Sequence, residues 1–169
     1  MSKGKYFKIY FIEVAIVVLI FILAYPFLKV KDLNMDDLKK DIIPALNEDL
    51  KEGTLDDIRK IYGISKADVE DFLYFRTKNN MNPEEILVIK FKNETLINNN
   101  KDKIKNVIDN KKNSFKDYNA NAYSLIENNI FEDKGRSLIL IIDEDNKNIE
   151  TIINKNYKWC KGWDNKYGI

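Results

Sequence analysis

A long apolar run constrains this chain more than any other feature. From Tyr10 to Val30 the sequence reads YFIEVAIVVLIFILAYPFLKV, and no charged residue lies between Val14 and Leu28. A helix rises ~1.5 Å per residue, so about 20 apolar residues cross the ~30 Å hydrocarbon core of a bilayer. The run is apolar on every side, which does not fit an amphipathic surface helix. It therefore predicts a transmembrane helix over residues 10–30.

The charges beside this run predict its orientation. Lys3, Lys5 and Lys8 precede the run, whereas the lysines that follow it are soon diluted by aspartates. Lysines near the end of a span favour the cytoplasmic side, so we expect a single-pass protein of the cell membrane with an extracytoplasmic C-terminal domain. A cleaved signal peptide is disfavoured, because Ile22-Leu23-Ala24 lacks the small residues of a cleavage site.

Behind the span, the hydrophobic periodicity predicts an α+β domain. Helical spacing marks residues 35–52, with Asn34 as N-cap and with a kink or two shorter helices expected at Pro44. A second short helix is expected from its cap Thr54 to Gly63, and further helices over 98–118, over 120–128 and through Ile153. Strands are predicted at 69–77 and 86–92. A hairpin is expected over 129–142, with SLILII buried on both faces or in mid-sheet. The predicted order is α-α-β-β-α-β-β-α, with an antiparallel sheet whose helices pack mainly on one face. The predicted divisions are a basic N-terminus (1–9), the transmembrane helix (10–30), a helical juxtamembrane segment (31–53), the extracytoplasmic domain (54–156) and an aromatic and basic tail (157–169).

Composition excludes several kinds of chemistry. The chain has no histidine and one cysteine, Cys160, so the commonest general base and a thiolate metal cluster are both absent. Lysine and arginine total 28 against 27 acids, which gives no basic face for a nucleic acid. We therefore predict no catalytic residue, cofactor, metal or nucleic-acid partner. Adjacent carboxylates occur at Asp36/Asp37, Asp56/Asp57, Glu84/Glu85 and 143–145, but sequence alone cannot place any pair across a cleft.

Two stretches are candidate contact surfaces for a partner. The first is the tail, in which aromatic side chains alternate with lysines: Tyr157, Trp159, Trp163 and Tyr167. Such a stretch can lie on a membrane or stack on sugar rings, or else it packs on the sheet edge. The second stretch is the end of the long predicted helix, with Lys111, Lys112, Phe115 and Tyr118. Its lysines either bind wall polymers or lipid headgroups or form a solvated helix face.

Several short motifs resemble a family of clostridial and related Gram-positive envelope proteins that contain a domain of unknown function. The motifs are YGI at 62–64, EEILVIK at 84–90, NKKNSFKDY at 110–118 and AYSLIEN at 122–128, followed by a KG turn and SLILII. Members resemble lipoproteins or single-span proteins with the domain outside the membrane. The resemblance thus implies the same topology, with a retained span in place of a lipid-bearing cysteine, and it implies no activity.

These observations favour a non-enzymatic binding or assembly module, held on the bilayer and facing an envelope protein or wall polymer. The alternative is a structural subunit of a larger membrane complex that makes its contacts through the span. A hydrolase built on carboxylates is less favoured, since it needs an Asp/Glu pair that converges in a pocket and has perturbed ionisation.

Overall fold

The computed structural model describes residues 10, 12–21, 31–79 and 81–159. Residues 12–21 form a helix whose side chains are exposed. Within the described residues, no helix is both long and apolar enough to cross a bilayer. Residues 22–30, which complete the predicted span, lie outside the described part of the chain, so the transmembrane helix stays a prediction.

The elements that follow repeat the predicted order with additions. The strands are β1 (Lys31–Leu33), β2 (Leu50–Glu52), β3 (Val69–Thr77), β4 (Glu85–Phe91), β5 (Ile130–Lys134), β6 (Ser137–Ile142) and β7 (Tyr157–Trp159). The helices are α1 (Met35–Ile42), α2 (Leu55–Tyr62), α3 (Thr95–Phe115), α4 (Ala120–Glu127) and α5 (Asn146–Lys155). The α+β class is confirmed, and the sequence did not predict β1, β2 or β7.

Five strands form one antiparallel sheet in the order β2-β3-β4-β6-β5, while β1 pairs with β7 in a separate two-stranded sheet. The centre of the large sheet is the pair β4 and β6, in which Ile86 lies opposite Ile141 and Leu87 opposite Leu140. All six residues of β6 are buried. The predictions for the two apolar strands are therefore confirmed. This sheet and its helices belong to one compact unit, Asp32–Lys158.

Helices cover both faces of the sheet, and the prediction that they pack mainly on one face is wrong. Leu87 and Ile89 of β4 pack with α2, α3 and α4, whereas Ile86 and Val88 pack with α1 and α5. The reason lies in the strand itself. Successive side chains point to opposite faces, so a strand that is apolar throughout needs cover on both.

Local signals set the helix ends as expected. Asn34 caps α1 by accepting a hydrogen bond from the Asp37 backbone amide, and Thr54 forms a capping box with Asp57 at the start of α2. Gly63 ends α2 in the left-handed region, at φ 65°.

The break predicted at Pro44 is confirmed, but the prediction that residues 35–52 are helical throughout is wrong in its second half. The helix ends at Ile42, a 3-10 turn spans Ile43–Ala45, and Leu50–Glu52 pairs with β3 as an edge strand. Pro44 lacks the amide that a continuing helix needs, so the α-helix gives way there. Pairing with β3 then draws the following residues into the sheet.

Candidate functional site

A cavity of about 270 Å³ opens where β3 ends and β4 begins. Its floor is Glu85, the first residue of β4, and one wall is apolar, formed by Ile61 of α2 and Phe115 of α3. Polar side chains from the end of β3 and from the loop before β4 form the rim: Arg76, Thr77, Asn79, Asn82 and Glu84. We call this cavity the Glu85 pocket. Its volume is below the ~300–1,000 Å³ typical of drug-sized ligands, so it suits a small ligand.

Glu85 is a buried carboxylate held by two phenols and one ammonium. It is 3% exposed, and its Oε1 accepts hydrogen bonds from the Tyr62 hydroxyl at 2.7 Å and pairs with Lys111 Nζ at 2.8 Å. The Tyr74 hydroxyl donates to Oε2 at 3.4 Å, near the long limit for a hydrogen bond. Lys111 also donates to the Pro83 carbonyl at 3.3 Å. A buried charge needs such partners, because leaving it unpaired is costly.

The two phenols stay neutral in this environment. Burial, together with the neighbouring Glu85 charge, raises the pKa of both Tyr62 and Tyr74 well above the ordinary value. Their rings meet edge to face, with centroids 6.3 Å apart. Each phenol therefore remains a donor to Glu85, so hydrogen bonds from two elements help to hold this carboxylate in place.

Glu84 lies beside Glu85 in the chain and has different surroundings. It is 4% exposed, and its Oε2 accepts hydrogen bonds from Asn82 Nδ2 at 2.9 Å and Asn47 Nδ2 at 3.5 Å. Burial raises the pKa of Glu84, and the charges of Asp143, Glu144 and Asp49 raise it further, while the Asn82 hydrogen bond opposes the change. Within the described residues, no ion pair involves Glu84.

Four residues that the sequence analysis selected on the long helix and after it have different environments. Lys111 and Phe115 both line the Glu85 pocket, but Phe115 is 5% exposed and belongs to the core. Phe115 lies seven residues after Ile108 and so returns to the buried side of α3. Lys112 pairs with Glu127 at 2.8 Å, and Tyr118 is 57% exposed and stacks on Phe115. Of the four, Lys112 and Tyr118 remain accessible to a partner.

Most lysines on the basic face of α3 form ion pairs or hydrogen bonds within the domain. Lys101 pairs with Asp133, Lys103 donates to the Gly63 carbonyl, and the next lysines along the face bind Glu85 and Glu127. These contacts fit a solvated and paired helix face.

The aromatic tail lies largely outside the described residues, which end at Trp159. Trp163 and Tyr167 are in that outside part, and only the backbone of Trp159 is described, in β7. Tyr157 is described and is buried, at 8% exposure. Its assignment to an exposed tail is wrong, because its ring packs with the α1 and α5 face of the core and lies 4.9 Å from Lys134 Nζ. Burial raises the pKa of Tyr157 to about 12.

Sequence marks Glu84 and Glu85 only as one of several adjacent acid pairs, and it gives no signal that Arg76 and Tyr74 belong to the same site. One signal was available, since two acids stand directly before the apolar strand ILVIKF. The contacts that make these acids a site come from α2 and α3, and no local pattern records them.

A second charged group lies at the opposite end of the sheet and ties elements together. Lys90 Nζ pairs with Asp32 at 2.7 Å and with Glu70 at 3.1 Å, and Arg136 contacts the same two acids. We call these four residues the ion cluster. Although burial raises the pKa of Asp32, Lys90 and Arg136 outweigh it and hold that pKa below the usual value. The ion cluster joins β1, β3 and β4, and Arg136 also donates to backbone carbonyls. This fits a structural role.

No group of three or more acidic, histidine or cysteine side chains among the described residues could hold a metal ion. The Glu85 pocket combines convergent polar side chains with an apolar wall.

A family model described as Domain of unknown function (DUF4358) matches residues 45–143, which is more than half of the chain. The chain belongs to this family. The match contains every residue that lines the Glu85 pocket, so the pocket lies wholly within the DUF4358 segment. No curated protein and no solved structure matches the chain.

Proposed function

We propose that this DUF4358 protein is a non-enzymatic binding module that takes a small ligand in the Glu85 pocket. The observation that carries this proposal is the pocket itself. It combines the apolar surface of Ile61 and Phe115 with convergent polar groups, which is the usual composition of a ligand site. Glu84 supports it further. A buried acid whose ionisation is disfavoured costs stability, and such groups are concentrated at functional sites.

Binding fits the geometry better than hydrolysis by a carboxylate pair. Glu84 and Glu85 both line the pocket, which is the condition that a carboxylate hydrolase would need. However, neighbouring residues of an extended chain point to opposite faces, so the pair does not flank one bond as a glycosidase pair does. Glu85 is also engaged by Tyr62, Lys111 and Tyr74, so this carboxylate already serves as an acceptor within the domain.

The module is proposed to be anchored in the cell membrane, with the DUF4358 domain on the extracytoplasmic side. The support is the apolar run at 10–30 and the helix at residues 12–21, on which Val14, Leu19 and Phe21 are all more than half exposed. Large apolar side chains in that number are stabilised by lipid or by another apolar helix. The second possibility is the alternative function, in which the span makes specific contacts with a larger membrane complex.

One labelling experiment and one replacement experiment test the anchoring. Asn106 is exposed on α3, so the double variant N106C/C160S carries one accessible thiol in the domain. We expect a membrane-impermeant maleimide to label it in intact cells. Labelling only after lysis would reverse the topology. The second experiment replaces residues 10–30 by a generic apolar span. The protein's function in the cell is unchanged by the replacement if the run is only an anchor, and it is lost if the span makes specific contacts.

The pocket is tested by filling its mouth. Asn79 lies exposed on the rim, and N79W places an indole across the opening, while the matched variant N99W places one on an exposed position of α3 away from the pocket. A panel of sugars, amino acids and short peptides is screened against the full chain in detergent by ligand-detected NMR. We expect at least one compound to bind the wild type and N99W but not N79W. A panel that binds N79W equally well, or that does not bind the wild type at millimolar concentration, contradicts the proposed site.

A further inference from the structure

The Glu85 pocket has two electrically different sides, which follow from strand alternation. Arg76 and Glu85 lie opposite each other in the β3–β4 register and share the face covered by α2 and α3. The next residues outward, Thr77 and Glu84, are joined by a backbone hydrogen bond of 3.3 Å and point to the other face. All four line the pocket, which therefore wraps around the end of the sheet.

The first side carries a net positive charge. Lys111 and Glu85 neutralise each other at 2.8 Å, so the guanidinium of Arg76 is the charge that remains. Within the described residues, Arg76 forms no ion pair. Its charge lowers the pKa of Asp57, which does not line the pocket, and it also acts on the Tyr74 hydroxyl. A planar guanidinium with five donors matches a carboxylate in a two-pronged geometry. This side is therefore suited to a small carboxylate.

The second side is negative. Glu84 is buried, and both hydrogen bonds that it accepts from described side chains end on Oε2, so Oε1 can still accept from a donor in the pocket. Asp49, Asp143 and Glu144 add negative charge around it, and they raise its pKa in addition to the effect of burial. Among the described residues there is no cation paired with Glu84. An ammonium group of a ligand would relieve this repulsion.

We propose that the ligand of the Glu85 pocket is a small zwitterion of amino-acid size, with its carboxylate on Arg76 and its ammonium on Glu84. This inference rests on the proposed function and narrows it to one chemical class. A neutral polyol of the same size would satisfy hydrogen bonds but would leave both charges uncompensated. The volume of about 270 Å³ accommodates a ligand of amino-acid size.

The test uses a series of amino acids that differ only in the separation of their charges. Glycine, β-alanine, 4-aminobutyrate and 6-aminohexanoate are titrated into the full chain in detergent, and calorimetry or ligand-detected NMR measures Kd. Butyrate and butylamine are the singly charged counterparts of 4-aminobutyrate. We expect one spacing to bind best, at least tenfold tighter than either singly charged compound, because each lost ion pair removes roughly one tenfold step.

Two variants assign the charges to their partners. R76Q is expected to raise the Kd of the best zwitterion about tenfold without changing the Kd of butylamine. E84Q is expected to raise the Kd of the same zwitterion about tenfold without changing the Kd of butyrate. The controls are R59Q and E94Q, which change the same residue types outside the Glu85 pocket. Because E84Q removes a disfavoured buried charge, it is expected to fold at least as well as the wild type.

The outcomes separate this inference from the proposed function. Equal affinity for a zwitterion and its singly charged counterparts overturns the inference, and so does the absence of binding across the series. If N-acetylglucosamine binds instead and N79W blocks it, the Glu85 pocket remains a ligand site while the zwitterion assignment fails. If zwitterions bind but neither R76Q nor E84Q alters their affinity, the assignment fails as well.

Discussion

Replacing Lys111 by methionine tests whether the buried carboxylate at Glu85 depends on its cation. Methionine has a similar length but no charge, so K111M leaves Glu85 with phenol donors only. Removing one partner of a buried ion pair costs about 3–5 kcal/mol. The Lys111 side chain is 23% exposed, so water relieves part of this cost and we expect a loss of about 2–3 kcal/mol.

Urea unfolding of the full chain in mild detergent, with a thermal melt beside it, measures this loss. About 2–3 kcal/mol corresponds to a fall in Tm of about 4–12 °C for a chain of this size. The double variant K111M/E85Q should lose less than K111M alone, because it contains no unpaired buried charge. The neighbouring change K112M breaks only an exposed pair and should leave Tm nearly unchanged. A loss below about 0.5 kcal/mol in K111M, or strictly additive single and double variants, would refute the reasoning.

Three further changes have expected outcomes. G53A should cost about 1–3 kcal/mol in urea unfolding, since a methyl group at Gly53 would overlap the buried ring of Tyr74; unchanged stability would contradict that packing. E84Q should raise Tm at pH 7, because a folded-state pKa above the unfolded value means that ionisation destabilises the fold. That gain in Tm should vanish below about pH 4, where Glu84 is protonated in both the folded and the unfolded protein. A gain that persists in acid would contradict the raised pKa of Glu84. D32N should lower Tm at pH 7, because the folded pKa of Asp32 is depressed by the cations of the ion cluster. Its stabilising contribution is present above the unfolded value of ~3.9 and is lost as the pH falls through the folded pKa, so wild type and D32N should converge in acid.

The side chains that line the Glu85 pocket have opposite expected effects on stability. Lys111 and Glu85 stabilise the domain and hold one wall of the pocket, whereas Glu84 lowers stability at neutral pH. A residue retained at a cost in stability is typical of a functional site. Measurements on K111M and E84Q therefore separate the structural acid from the proposed ligand-binding acid.

Local chemistry determined much of the architecture. Continuous apolar runs specified β4 and β6, and the turn at Gly135, with φ 57°, joined β5 to β6. Thr54 and Gly63 fixed both ends of α2 because capping depends on residues that are close in sequence. These features could be predicted from sequence because each depends on contacts within a few positions.

Short strands and face assignment could not be predicted in the same way. Leu50–Glu52 has no strand pattern of its own and becomes a strand because Leu50, Lys51 and Glu52 pair with β3. Tyr157 looked exposed among lysines, yet the α1 and α5 face of the core encloses it. The strand depends on partners more than 20 residues away along the chain, and so does the packing of Tyr157 against α1.

The sequence by itself determined a chain with a long apolar run, an α+β domain with two buried central strands, and no histidine for catalysis. Only the tertiary structure decided that helices cover both faces of the sheet and that Glu85 meets Tyr62, Tyr74 and Lys111 under an open pocket. The physical reason is that hydrophobic periodicity and capping are local, whereas a binding site is made of side chains from separate elements. The effect of their charges depends on the distances and the burial that the fold imposes.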